Sequence, residues 1–336
     1  MTGEPRLGAV SLQEFLDRVA PGRGGTVTLF RPVSGGFSRL SALAAVRWGD
    51  GSEESFVLRS DPPPDTGVFD SDRDSEWQLL QAISGKLAIR TPVPRWYDAT
   101  GAHLGSKCMV VDFFAGRALS DIAQEEDQRS RAAEIFVDTL AEVHRTPLGL
   151  LPAGLDRPAD WDSYIEDLTG RLGRLDHGLA DSNPALHYAA AQLAAHHPPP
   201  APLTFVHGDA QPANILVPRD AGPVLMIDWE FARVGDPRED RGYYSHLPVP
   251  PNLYEAGPAA FLARYRERSG LSEEQVNEDT VAYFYVLGMA RLLGQMLEAT
   301  DALARGRPRG VMATYLMNGI SATTRAFVEV ARQLAR

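Results

Sequence analysis

Phe205-Val-His-Gly-Asp-Ala-Gln-Pro-Ala-Asn-Ile-Leu-Val217, followed by Val224-Leu-Met-Ile-Asp-Trp-Glu230, is the stretch on which the reading of this 336-residue chain turns. Each half carries apolar, β-forming residues into polar ones. The first puts Asp209 in a loop between two apolar runs, with Asn214 five residues further on. The second ends an apolar strand on Asp228. Taken singly, the two acids read as turn formers and Asn214 as a loop amide. Taken together, an amide and two carboxylates at the ends of neighbouring β runs offer the hard oxygen donors that suit Mg2+. They also offer one carboxylate to orient or deprotonate a hydroxyl.

Upstream, Ser11-Leu-Gln-Glu14 has capping-box form and predicts a short helix to about Val19. Residues 26–33, 40–48 and 55–59 read as strands, with Ser34-Gly35-Gly36-Phe37-Ser38 between the first two. A helix is predicted over 72–83, then strands over 92–97 and 107–114. Beyond Gly116 the pattern changes. Phe136, Leu140 and Val143 keep helical spacing, and 161–175 and 184–197 read as further helices. Short β runs at 203–206, 215–217 and 224–227 interrupt this, and from Gly257 the chain reads as helical to its end. A β-rich first third and a helical remainder predict an α+β architecture of two lobes with a cleft between them.

Composition narrows the function. The 33 basic residues are outnumbered by 44 acidic ones, and a net charge of −11 disfavours broad binding to nucleic acid. A single cysteine, Cys108 in an apolar run, excludes an internal disulfide and any cysteine-cluster metal site; it reads as a buried bystander. The start of the chain lacks a basic segment followed by an apolar one, so no signal peptide is expected. The apolar segment 281–296 contains Arg291 and reads as too short to cross a bilayer. The expectation is a cytoplasmic protein without a membrane partner. Lys86 and Lys107 are the only lysines, so a function that needs a lysine has two candidates.

His207-Gly208-Asp209 with Asn214, and Ile227-Asp228-Trp229-Glu230, resemble the catalytic loop and metal motif of the aminoglycoside phosphotransferase and choline kinase family. The resemblance implies a protein-kinase-like fold with a small β-rich N-lobe (1–112, a nucleotide-binding sheet with one helix) and a larger helical C-lobe (113–336). It implies Asp209 as the catalytic base or hydroxyl-orienting group, Asn214 and Asp228 as Mg2+ ligands, and His207 as a structural hydrogen-bonder behind the loop. Asp236, Pro237 and Asp240 resemble a family stretch read as a structural cap on the next helix, with Arg241 where a small or apolar residue is usual. His144 also reads as structural.

The same resemblance places Ser34, Gly35, Gly36, Phe37 and Ser38 over nucleotide phosphates, and adenine against backbone near Asp112 and Phe114. The expected phosphate-binding lysine is missing. Val57-Leu58-Arg59 stands there, a form similar to kinase-like domains related to those of some acyl-CoA dehydrogenase fusions. Arg59 can neutralise phosphate oxygens bidentately. Glu76 is its expected partner, with Asp72 and Asp74 as alternatives. Glu230 is the candidate for contact with a cationic acceptor, while Asp121 and residues 125–127 read as solvated helix ends. The expected activity is transfer of phosphate from ATP or GTP, with Mg2+, to a hydroxyl of a small molecule. Because of Arg59, a nucleotide-binding regulatory module that has lost catalysis is the alternative. A protein kinase is disfavoured, since no Ala-Pro-Glu segment follows Asp228.

Overall fold

The computed structural model describes residues 7–33, 40–62, 72–178, 183–245, 253, 257–306, 320, 324–325, 328–329, 331–332 and 334. Helix α1 (Ala9–Val19) precedes β1 (Thr26–Val33), β2 (Leu40–Arg47) and β3 (Glu53–Ser60). Then come α2 (Arg73–Ile83), β4 (Pro94–Asp98) and β5 (Cys108–Asp112). The rest comprises β6 (Gly116–Ala118), α3 (Leu119–Ala123), α4 (Arg129–His144), α5 (Trp161–Gly178), α6 (Pro184–Ala195), β7 (Thr204–Val206), β8 (Ile215–Pro218), β9 (Leu225–Met226), β10 (Arg233–Gly235), α7 (Arg238–Ser245), α8 (Pro258–Ser269) and α9 (Glu278–Ala304).

The first five strands form one antiparallel sheet in the order β1-β2-β3-β5-β4. Alternation along β3 decides what faces the cleft. Phe56 and Leu58 join Leu12, Phe15 and Leu16 of α1 in one apolar cluster. Val57 points the other way and packs with Met109, Val111 and the α2 residues Leu79, Leu80 and Ile83. Arg59 shares the Val57 face by the same two-residue period and pairs with Met109 across the sheet. That second cluster continues without a break into Leu119, Phe136, Leu140, Met226 and Trp229 of the helical part. Arg90 bridges the two parts through backbone, donating to Val224 and accepting from Met226.

Caps set several helix starts. Asp72 accepts from the Asp74 amide (3.0 Å) and the Ser75 hydroxyl (2.6 Å), so α2 begins where the sequence predicts. Asn183 and Asn277 do the same for α6 and α9. The capping box at Ser11 is displaced. The helix begins earlier, Ser11 lies in its first turn, and its hydroxyl exchanges hydrogen bonds with Gly8 (3.0 Å each). Cys108 is the buried bystander expected, and burial pushes its thiol up to about 12. The apolar segment around Arg291 is longer than expected. It lies in the 27-residue α9, whose stretch Glu278–Glu298 is long and apolar enough to cross a membrane but is 71% buried inside the fold.

Candidate active site

Two small sheets, β6-β8-β9 and β10-β7, frame the segment 205–235. The loop after β7 turns at Gly208, where φ is +80° and an added Cβ would lie 2.3 Å from the Phe231 carbonyl oxygen, so only glycine fits. Asp209 follows, nearly buried, its carboxylate accepting from Gln211 Nε2 (3.1 Å) and from Asn214 Nδ2 (2.9 Å). The same Asn214 nitrogen donates to the Asp209 carbonyl (2.9 Å). Asn214 closes a single 3-10 turn, Pro212–Asn214, and its backbone carbonyl accepts from the Ile227 amide at 2.9 Å. Asp228 is the next residue, so the pairing of β8 with β9 brings Asn214 and Asp228 together.

Asp228 has φ +70°, alone among the described non-glycine residues in being positive. Such backbone in an aspartate marks a loop held in place by its surroundings. Trp229 holds this one. It is fully buried, stacked on Phe205 at 5.4 Å, and donates from Nε1 to the Met226 carbonyl at 2.8 Å.

Beneath the loop, Asp240 of α7 is completely buried and accepts from the amides of His207 (2.8 Å) and Gly208 (2.7 Å) and from His144 Nε2 (3.0 Å). Burial would raise its pKa, but these donors hold the carboxyl below its ordinary value. His144 meets the Tyr265 hydroxyl (2.6 Å) with its other nitrogen. His207 itself is buried and its pKa is lowered, because burial penalises the charged ring more than the nearby Asp240 favours it. Its Nε2–H donates to the Ile227 carbonyl (2.9 Å) and Nδ1 accepts from the Asp209 amide (3.3 Å). The cap on α7 expected at Asp236 and Asp240 therefore divides into two roles. Asp236 accepts from the Arg238 amide at 2.9 Å and caps the helix, whereas Asp240 holds the loop. Arg241 is accommodated over the Phe261 ring at 4.8 Å.

Above the loop, Arg59 forms an ion pair with the buried Glu76 (3.3 Å) and a second, short one with Asp228. Burial would lower the Arg59 pKa, but Glu76 and then Asp228 outweigh it and keep the guanidinium above its usual value. Glu76 is thus the Arg59 partner; Asp72 caps α2 and Asp74 pairs with Lys107. Lys86 donates to the Ala82 carbonyl (2.6 Å), so neither lysine takes the place of Arg59. The sequence reading did not single out Arg73, which is fully buried between Asp61 (3.1 Å) and Glu76 (2.7 Å). An arginine in the first turn of an amphipathic helix gives no signal of burial. Glu230 stands close enough to Arg59 to contribute to its raised pKa. Asp112 is held by Arg95 (2.5 and 2.8 Å), and its amide donates to the Val93 carbonyl (3.0 Å). Phe114 is half-buried with Arg90 over its ring at 5.4 Å. The expected phosphate loop at Ser34, Gly35, Gly36, Phe37 and Ser38 lies outside the described residues.

Among the described residues no group of three or more His, Cys, Asp or Glu side chains converges to hold a metal. Asn214 and Asp228 nevertheless fit Mg2+, which takes one or two protein oxygens and completes its shell with phosphate and water. Because the Asn214 nitrogen is directed at Asp209, its side-chain oxygen is the group left to face a cation.

The profile of the phosphotransferase enzyme family matches residues 30–277, which include every residue described above from Arg59 to Tyr265. The chain belongs to that family. Solved phosphotransferases share the fold. A suggested aminoglycoside phosphotransferase of Ralstonia eutropha JMP134 superposes with a TM-score of 0.70 at 16% identity, covering 98% of this chain and 99% of that one. The GDP complex of aminoglycoside 2'-phosphotransferase-IIIa gives 0.64 at 16% identity, covering 95% and 99%. The two-lobed, mixed α+β phosphotransferase fold is thereby the fold of this chain. Acyl-CoA dehydrogenase family member 11 of Gallus gallus is 23% identical over 292 residues, 84% of this chain but 37% of that protein. The chain spans little more than a third of the length of this curated relative.

Proposed function

We propose that this phosphotransferase-family chain moves the γ-phosphoryl group of ATP or GTP to a hydroxyl of a small molecule. One observation carries the reading: Asp209 and Asn214 are joined at 2.9 Å, and Asn214 is tied through Ile227 to Asp228. A base, an amide oxygen donor and a second carboxylate thus share one loop cluster inside a phosphotransferase fold. The acceptor oxygen bonds to the γ-phosphorus, its proton passes to Asp209, and the bond to the bridging oxygen breaks to release the nucleoside diphosphate. Gln211 and Asn214 donate to the Asp209 carboxylate, fixing its orientation for the proton it receives. Mg2+ held by Asn214 and Asp228 would supply charge neutralisation at the phosphate oxygens.

Arg59 is the side-chain cation for the phosphates, kept charged by Glu76. It also pairs with Asp228, which sets the guanidinium beside the carboxylate that would hold the metal. The Asp112 amide is already engaged, so the base contact falls to Phe114 and to carbonyl groups of this segment. Asp209→Ala is expected to abolish coupled ADP or GDP release with acceptor while calorimetric nucleotide binding persists. Nucleotide binding without Mg2+-dependent turnover in wild type, or in Arg59→Lys beside it, would support the regulatory module instead.

A further inference from the structure

Asp209 and Asp228 sit on separate loops, and two contacts fix one loop against the other. His207 Nε2 donates to the Ile227 carbonyl (2.9 Å), just before Asp228. Its neighbour Gly208 meets the Phe231 carbonyl, three residues beyond Asp228, so closely that no Cβ fits between them. Residues 207 and 208 thus grip the chain on both sides of Asp228, and Asp209 follows directly. The Phe231 carbonyl needs a hydrogen-bond donor from elsewhere, because the Gly208 amide is committed to Asp240.

Arg233 supplies that donor. Its Nη1 donates to the Phe231 carbonyl at 2.8 Å and lies 2.7 Å from where a Gly208 Cβ would be. Its Nη2 donates to Glu239 Oε2. The Nε–H is buried without a partner, so the guanidinium is hydrogen-bonded through its two Nη atoms alone. Glu239 is itself buried and fixed. Its Oε1 accepts from the Tyr164 hydroxyl of α5, and its Oε2 also accepts from Arg291 of α9 at 3.1 Å. Gly235 leaves room for it, since a Cβ there would overlap Glu239 Oε1. Burial would lower the Arg233 pKa, but Glu239 and the nearby Asp240 outweigh it and keep the guanidinium above its usual value. Helices α5 and α7 therefore hold Arg233, and Arg233 holds the chain beyond Asp228 against the residue before Asp209.

We infer that Arg233 is a positioning residue: by keeping the Phe231 carbonyl against Gly208, it sets where Asp228 stands relative to Asp209. This rests on the proposed use of Asp228 as a metal ligand. The fork matters because the two acceptors are separate; a lysine keeps the charge beside Glu239 but brings one nitrogen for both. The readout is calorimetric ADP affinity with Mg2+ divided by that in EDTA, beside thermal melts. Wild type should bind ADP more tightly with Mg2+. Arg233→Lys should cut the ratio by about tenfold or abolish it, as changes behind a metal ligand do. Affinity in EDTA should stay near wild type, because the Arg59 contact with Glu76 does not pass through this clamp. Glu239→Asp keeps both charges but withdraws the carboxylate from Arg233. It should lower the ratio in the same direction, and it serves where Arg233→Lys does not fold. Glu239→Gln keeps an acceptor for Arg233 and should hold the ratio near wild type. A lower melting temperature with an unchanged ratio in Arg233→Lys and Glu239→Asp overturns the inference and leaves the metal reading standing. Equal loss of affinity with Mg2+ and in EDTA overturns it too. A wild type without Mg2+ preference overturns the metal reading, and the inference with it.

Discussion

Above the loop that carries Asp209, Arg59 reaches from β3 to Glu76 and Asp228; below it, Asp240 reaches from α7 to the amides of His207 and Gly208. The upper arrangement crosses from the sheet to the helical part through charged side chains, and Asp228 keeps 29% of its side chain exposed. The lower one is fully enclosed, and its carboxylate is met by backbone N–H groups and one histidine. The difference matches the roles proposed for the two regions. On the proposed reading Asp228 would also meet a metal, and its partial exposure leaves it accessible for that. A group that only fixes a loop is best served by short, rigid donors that never leave.

The comparison can be broken at several points. The largest expected effect is at Asp209, which follows the two residues whose amides Asp240 holds. Asp209→Ala should lower turnover by about 10²–10⁴-fold, read by coupled ADP release, with nucleotide affinity retained by calorimetry. Next comes the lower support. Asp240→Ala strands two loop amides and His144 without their buried acceptor, and should cost about 3–5 kcal/mol of stability in denaturant unfolding. Removing the upper cation should cost less. Arg59→Met should lose about 1–3 kcal/mol, because Arg73 still neutralises Glu76 at 2.7 Å, and its nucleotide affinity should fall well below that of Arg59→Lys.

Acid sharpens the contrast further. His207 has a folded pKa below its usual value, so the unfolded chain takes up a proton first as pH falls through about 6.5. Stability should therefore decline from there toward the folded pKa, and a His207→Gln variant should show a flatter slope in thermal melts over that window. Asp240 has the sign usual for a depressed carboxyl. Its contribution is present above about pH 4 and is lost as pH falls through its folded pKa. The smallest effect belongs to the rim. Arg95→Ala, which breaks a half-exposed pair with Asp112, should change stability by about 1 kcal/mol or less.

Much of the candidate site's local geometry was legible because its residues lie close together in the chain. Asp209, Asn214 and Asp228 fall within one stretch of alternating β runs and loops, and local pairing of β8 with β9 is enough to join them. Glu76 as the Arg59 partner was expected too, from the family resemblance and its place on the next helix. The Asp240 role was not. As a helix-cap residue its local pattern is ordinary, and only the packing of α7 under β7 shows that its oxygens face the loop. Strands β6 (Gly-Arg-Ala) and β10 (Arg-Val-Gly) were missed because they lack the run of apolar β-formers that marks β7 and β9.

By itself, then, the sequence determined the family and the order of most strands and helices, since these depend on patterns along the chain. Tertiary structure alone decided which charges meet: Arg73 between Asp61 and Glu76, Asp240 beneath Gly208, and Arg233 with Arg291 on Glu239. The physical reason is burial. An isolated charge cannot be taken out of water without a partner, and the partners here come from elements far apart in the chain. No local pattern records those pairings; the packing of α5, α7 and α9 around the loop does.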